Sequence, residues 1–163
     1  MPVTNNVTRF LDSHGVIYEA HELPAEKLGA VEAAEFMGVA PEQVFKTIVV
    51  TREGGGGKGK KSILAVVPGP SSVDLKLLAA FVGEKKVYLP SEREAERLTG
   101  LQAGGISPLA LIHKGFQVVI DTAAQGYEMI YISGGQRGLD ILLPVEVLAR
   151  LTAARFGRIA RSE

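Results

Sequence analysis

Two β-branched runs, VFKTIVVT at residues 44–51 and SILAVV at 62–67, flank the segment GGGGKGKK at 54–61. Runs of this composition favour a pleated, extended backbone. The intervening glycines tolerate positive φ and the lysines keep the tip in water, so the pair reads as a hairpin. Three further strand-like runs lie at 117–121, 127–133 and 139–142, the last two separated only by GGQRG. Strands joined by short turns pair antiparallel, because a parallel crossover needs a dozen residues or more. The expected fold is therefore mixed α/β (α+β): a largely antiparallel, barrel-like sheet with packed helices, not a doubly wound parallel sheet.

Helical periodicity supplies the packing elements. Val7, Phe10 and Leu11 recur at helical spacing within 4–14, and Gly15 is placed to end that helix. A short strand is expected at 16–21. Helices at 30–37 and 74–82 stop at Gly38 and Gly83, and a short strand at 86–89 leads to Pro90. Ser91 and Glu94 have the spacing of a reciprocal capping box, starting a helix that runs to Thr99 and stops at Gly100. Pro144 opens a closing helix whose buried face is Val145, Val147, Leu148 and Leu151.

At 163 residues the chain is the size of one ordinary domain, taken as residues 1–163. It is 46% hydrophobic and 22% charged. No apolar run approaches the roughly 20 residues needed to cross a bilayer, so no membrane partner is expected. The opening MPVTNNVTRF lacks a basic stretch followed by an apolar run, and a cytoplasmic location is expected. The absence of cysteine removes disulfides, a protein thiolate nucleophile and thiolate metal sites. Eighteen basic and eighteen acidic side chains cancel, so charge alone does not announce a nucleic-acid binder. The small basic groups at Lys58, Lys60, Lys61, at Lys85, Lys86 and at Arg155, Arg158, Arg161 read first as solvated surface.

Several motifs fail on context. Residues 54–59 satisfy G-x-G-x-x-G, but a strand follows where a dinucleotide site needs a helix. The near match to a P-loop has Lys61 where a magnesium-ligating hydroxyl belongs. His14, His21 and His113 fall on separate elements and form no ligand pair, so neither metal nor other cofactor is expected. Ser133 lacks a nucleophile elbow and a triad partner.

Three features stand out. Lys46 interrupts an apolar run, sharing a face with Val44, Ile48 and Val50. Either it snorkels from the strand end into water, or it is a cation held in a pocket to meet a carbonyl or ribose oxygen. In LQAGGISP, Gly104 and Gly105 are a tight loop or a pair of backbone N–H donors, with Ser107 and Pro108 fixing the exit. In YISGGQRGLD, Ser133, Gly134 and Gly135 form a hairpin turn or, with Asp140, part of a shared cleft.

These segments in this order resemble the YbaK family of aminoacyl-tRNA deacylases, related to the editing domain of bacterial prolyl-tRNA synthetases. The likeness is carried by VFKTIVV with Lys46, VVPG at 66–69, DLKLLA at 74–79, RLTG, GGISP and IYISGGQRGLDI. It implies a pocket for the 3′ end of a mischarged tRNA, with Lys46, Gly104 and Gly105 as catalytic residues. It further implies Thr47, Ser107, Ser133, Gly134 and Asp140 as substrate-binding residues. Relatives of this pattern clear cysteine from tRNA(Pro), and other branches prefer alanine; a noncatalytic tRNA- or synthetase-binding module is the alternative from another class. In relatives acting on cysteine, the substrate's own thiol is thought to attack the ester, so no protein nucleophile is needed. Prolyl-tRNA synthetase is the partner implied. Where relatives carry a tyrosine at the pocket rim, this chain places Leu23 after Glu22, a departure that bears on amino-acid specificity.

Overall fold

A computed structural model describes residues 3–52 and 61–163. The glycine-rich tip, with its G-x-G-x-x-G and P-loop near matches, lies outside the described residues. The elements run α1 (Asn6–Ser13), β1 (Glu19–Glu22), α2 (Ala30–Met37), β2 (Phe45–Arg52), β3 (Ile63–Pro68), β4 (Ser71–Val73), α3 (Leu75–Val82) and β5 (Val87–Tyr88). They continue with α4 (Glu92–Thr99), a 3-10 helix at Pro108–Lys114, β6 (Gln117–Asp121), β7 (Met129–Ser133), β8 (Leu139–Pro144), α5 (Val145–Thr152), β9 (Arg155–Gly157) and β10 (Ala160–Ser162).

β2 and β3 form the expected antiparallel hairpin, with Lys46 opposite Val67 and Val50 opposite Ile63. They belong to a five-stranded sheet of order β5-β2-β3-β6-β9, while β1-β8-β7 form a second, antiparallel sheet. Val44, just before β2, bridges Tyr131 of β7 and joins the two sheets at one edge. The mixed α/β class holds, with one refinement: β3 pairs β6 in parallel, and β6 pairs β9 in parallel. The helical and 3-10 segments between these strands provide the crossover length that parallel pairing demands.

Every side chain of β3 is buried. Alternation sends Leu64 and Val66 into a core with Phe45, Ile120, Ile132 and Ile141, which fills the space between the two large sheets. Ile63, Ala65 and Val67 face the opposite way, into a second core closed by Leu78 of α3, Val119 and Ile159. A third cluster, including Ala34 of α2, Tyr131 and Leu142, fixes α2 on the outer face of β7 and β8.

Some local expectations change. Ser91 Oγ accepts from the Glu94 N–H at 3.1 Å, but the Glu94 carboxylate accepts from Arg97 at 2.8 Å. Only half of the capping box forms, because the guanidinium one turn on is a stronger partner than a neutral N–H. Pro144 occupies the N-cap rather than the first turn of α5. The chain does not close with that helix: β9 and β10 follow, and β10 pairs with β4. Strands of three residues are too short to show a period.

Asp121 anchors this last segment. Its carboxylate, 5% exposed, accepts from the N–H groups of Ile159, Ala160 and Ala123, each at 2.9 Å. Asp121→Ala strands three donors, two of them on Ile159 and on Ala160, where β10 begins. The expected outcome is a loss of about 3 kcal/mol or more in urea unfolding, with faster amide exchange at residues 159–161.

Candidate active site

Residue 46 is the second position of β2, where the hairpin opens toward the start of α2. The Lys46 side chain is 27% exposed, and its ammonium lies 3.3 Å from Glu163 Oε1. Glu163 also accepts from Ser72 Oγ at 2.9 Å. The Ser72 hydrogen bond, followed by the Lys46 bond and charge, holds the Glu163 carboxyl below its ordinary value. Lys46 thus sits near a strand end, partly wet, with its head held by Glu163.

Lys46 lines a cavity of about 550 Å³ together with Thr47, Gly104, Ser133 and Asp140. Five separate expectations therefore converge on one space. α2 contributes Ala30 and Ala33 to its wall, and the small side chains there leave room beneath the helix.

Asp140 is the electrostatic outlier. On β8 it stands opposite His21 of β1 and Ser133 of β7, on the face that also carries Tyr131 and Leu142. It is 8% exposed, and its carboxylate has no hydrogen-bond or ionic partner among the described residues. Burial pushes its pKa from 3.8 up to about 7, because a carboxylate leaving water without a compensating donor favours its neutral form.

The glycine motifs behave differently from one another. Gly104 faces the cavity at φ +90°, and its N–H has no acceptor among the described residues. The Gly105 N–H instead donates to the Gln102 carbonyl at 2.8 Å. The pair does not converge on one bound oxygen. Gly105 has a packing reason: a Cβ there would come within 2.8 Å of Gln136 Cα, so the GGISP loop lies directly on the GGQRG turn. Arg137 Nε fastens the contact by donating to the Ala103 carbonyl at 2.7 Å. The Gly134 N–H closes the β7–β8 hairpin on the Leu139 carbonyl at 2.8 Å, and a Cβ there would meet the Leu139 side chain at 2.6 Å.

Ser107 is fully buried, and its hydroxyl accepts from the Leu109 N–H at 3.2 Å, starting the 3-10 helix. Gly105, Ser107 and Gly134 shape the site from behind its wall. Ser133 Oγ accepts from the Gly135 N–H at 3.2 Å, and no histidine is among the described residues that line the cavity. Leu23 donates its backbone N–H to the Gly138 carbonyl at 2.9 Å and does not line the cavity.

Sequence reasoning missed three features around Lys46 and its cavity. Lys27 and Glu92, 65 residues apart, form a 2.7 Å ion pair and both line the cavity. Glu163 reaches Lys46 from 117 residues away. Leu89 lies on the rim with 60% of its surface exposed. Glu92 was legible as an acidic first-turn residue of α4; the others carried no local signal.

The Asp140 pKa fixes a pH dependence. Below about pH 4 the carboxyl is protonated in folded and unfolded chains alike. Between about 4 and 7 the folded state keeps a proton that the unfolded chain has released, so stability falls as pH rises and levels off above 7. Relative to Asp140→Asn, which stays neutral, the native protein is expected to lose on the order of 4 kcal/mol between pH 4 and pH 8, measured by urea unfolding of both proteins across that range.

Comparison with known proteins bears on this arrangement. The sequence model of the aminoacyl-tRNA editing domain matches residues 25–151. Over 160 residues the chain is 34% identical to EbsC of Enterococcus faecalis, which bears the name of a candidate Cys-tRNA(Pro)/Cys-tRNA(Cys) deacylase. That match covers 97% of this chain and 94% of EbsC. Among solved structures, the hypothetical protein APE2540 superposes with a TM-score of 0.85 at 21% identity, covering 96% of this chain and 100% of its own. A candidate trans-editing enzyme for prolyl-tRNA synthetase superposes with a TM-score of 0.78 at 24% identity, covering 98% of this chain and 100% of its own. At these identities the superpositions show a shared fold.

Proposed function

The chain belongs to the aminoacyl-tRNA editing domain family, and from that premise we propose that it is a trans-acting deacylase that removes cysteine from Cys-tRNA(Pro). One observation carries the reading: an ammonium, Lys46, and a nearly buried, unpartnered carboxylate, Asp140, line the same cavity. An aminoacyl ester presents the complementary pair, a carbonyl oxygen that gains negative charge during cleavage and an α-ammonium.

In this reading Lys46 and the Gly104 N–H stabilise charge developing on the ester oxygen, where preorganised donors count most. Asp140 holds the amino group, and binding that cation draws the carboxyl back to its ionised form. Thr47 and Ser133 complete the wall. The chain has no cysteine, and Ser133 has no histidine beside it in the described cavity. The nucleophile is then the substrate's own thiol. Its sulfur bonds to the ester carbon as the carbon–ribose oxygen bond breaks, the thiol proton passes to the departing ribose hydroxyl, and cysteine leaves as its thiolactone.

An alanyl ester has no such thiol and needs an activated water at the same site. EbsC is named for cysteine, which favours the first route. The balanced net charge fits a single cytoplasmic domain that reads the end of a mischarged tRNA and relies on prolyl-tRNA synthetase to present it. No helix among the described residues is long and apolar enough to cross a membrane.

The test is release of labelled amino acid from Cys-tRNA(Pro) and, in parallel, Ala-tRNA(Pro). Cysteine is expected to leave faster, and Lys46→Ala is expected to slow release by about 100-fold or more with an unchanged circular dichroism spectrum. Preference for alanine selects the water route, release by Lys46→Ala at the native rate removes Lys46 from the mechanism, and no release from either ester leaves a binding module.

A further inference from the structure

Lys46 lines a second cavity, of about 730 Å³, as well as the first; Ile48 and Leu89 are shared between the two. The volume is within the roughly 300–1,000 Å³ of small-ligand clefts. The second cavity is bounded by β4, the start of α3 and the β10 segment, through Ser72, Leu75, Lys76, Arg161 and Glu163.

Its charges are not equivalent. Asp74 is engaged at the helix start, its Oδ1 accepting from the N–H groups of Lys76 and Leu77 at 3.1 and 3.0 Å. Glu163 accepts from Ser72 and Lys46. Lys76 and Arg161 are exposed and have no acidic partner among the described residues. Three cationic and two acidic side chains leave this lining net positive, with the unmatched charge on Lys76 and Arg161. Leu75 and the largely exposed Leu89 supply apolar surface beside them.

The two cavities therefore differ in what they leave unmatched on either side of Lys46: the first, whose Lys27 and Glu92 pair with each other, holds the unpartnered carboxyl of Asp140, and the second holds the unpartnered cations Lys76 and Arg161. An aminoacylated RNA end has the matching asymmetry, an α-ammonium on one side of the ester and a phosphodiester on the other. We propose that the second cavity is the subsite for the terminal nucleotide: Lys76 and Arg161 take its phosphate, Leu75 and Leu89 take a face of its base, and the ester crosses Lys46 into the first cavity. This assignment rests on the deacylase reading for its orientation. Its binding chemistry, an apolar-faced clamp for a nucleoside 5′-phosphate, is testable without turnover.

The probe is adenosine 5′-monophosphate, titrated into isotope-labelled protein and followed by amide chemical shifts. Shifts are expected at residues 72–76, 89 and 161, with at least a tenfold weaker Kd in Lys76→Ala/Arg161→Ala and retained binding in Lys46→Ala. With Cys-tRNA(Pro), the double variant is expected to raise KM about tenfold, with kcat within about twofold and a shallower salt dependence. Both altered side chains are exposed, so the fold is expected to be preserved, as checked by the core amide pattern. Shifts confined to 103–106 and 133, absence of binding at millimolar nucleotide, or a double variant that binds like the native protein overturns the subsite. Absence of release by the native protein instead sinks the deacylase, whatever the titration shows.

Discussion

A strand with six consecutive buried side chains has to be covered on both faces, and β3 imposes that demand on the whole chain. One face is met by the second sheet, whose Ile130, Ile132, Ile141 and Leu143 close the larger core. The other is met by α3 and Ile159. Neighbouring β2 is buried at Phe45 and again from Val49 to Arg52, and loses that environment at Lys46, Thr47 and Ile48, where the packing diverges toward α2. A cavity forms at that divergence because small residues, Ala30 and Ala33, leave the space unfilled. The site is thus where the two cores stop meeting.

Within that space the protein holds two ionisable groups in unlike conditions. Lys46 is partly wet and paired with Glu163. Asp140 is nearly dry and unbalanced, and the fold bears the cost of its ionisation. In the deacylase proposed above, such a group gains from a cationic partner, because an adjacent ammonium favours the ionised carboxylate. The Asp121 carboxylate shows the contrast, since three N–H groups surround a comparably buried side chain and make it purely structural.

Much of this was legible in the sequence. The β2–β3 hairpin was readable from its β-branched runs, and α2, α3 and α4 from glycines that stop them, since Gly38, Gly83 and Gly100 all adopt positive φ. Lys46 announced itself by interrupting an apolar run, and Asp140 by following a glycine turn. What stayed hidden was non-local. The parallel pairing of β3, β6 and β9, the three-residue strands β4, β9 and β10, and the approach of Glu163 to Lys46 depend on partners far along the chain. The glycine pair at 104–105 stands out in the sequence, but one residue faces the cavity and the other packs on a neighbouring turn, a division that only the tertiary contact reveals.

That contact makes the two glycine loops a single part. With a Gly105 Cβ excluded by the Gln136 backbone and the Arg137 side chain bound to the Ala103 carbonyl, each loop fixes how the other sits. Exchange of the GGQRG turn for one of different length would therefore disturb a wall of the cavity, at Ala103, Gly104 and Ile106, that the exchanged residues do not themselves form. Transplantation of specificity between members of the fold would have to move both segments together, even though some thirty residues of core helix and strand separate them in the chain.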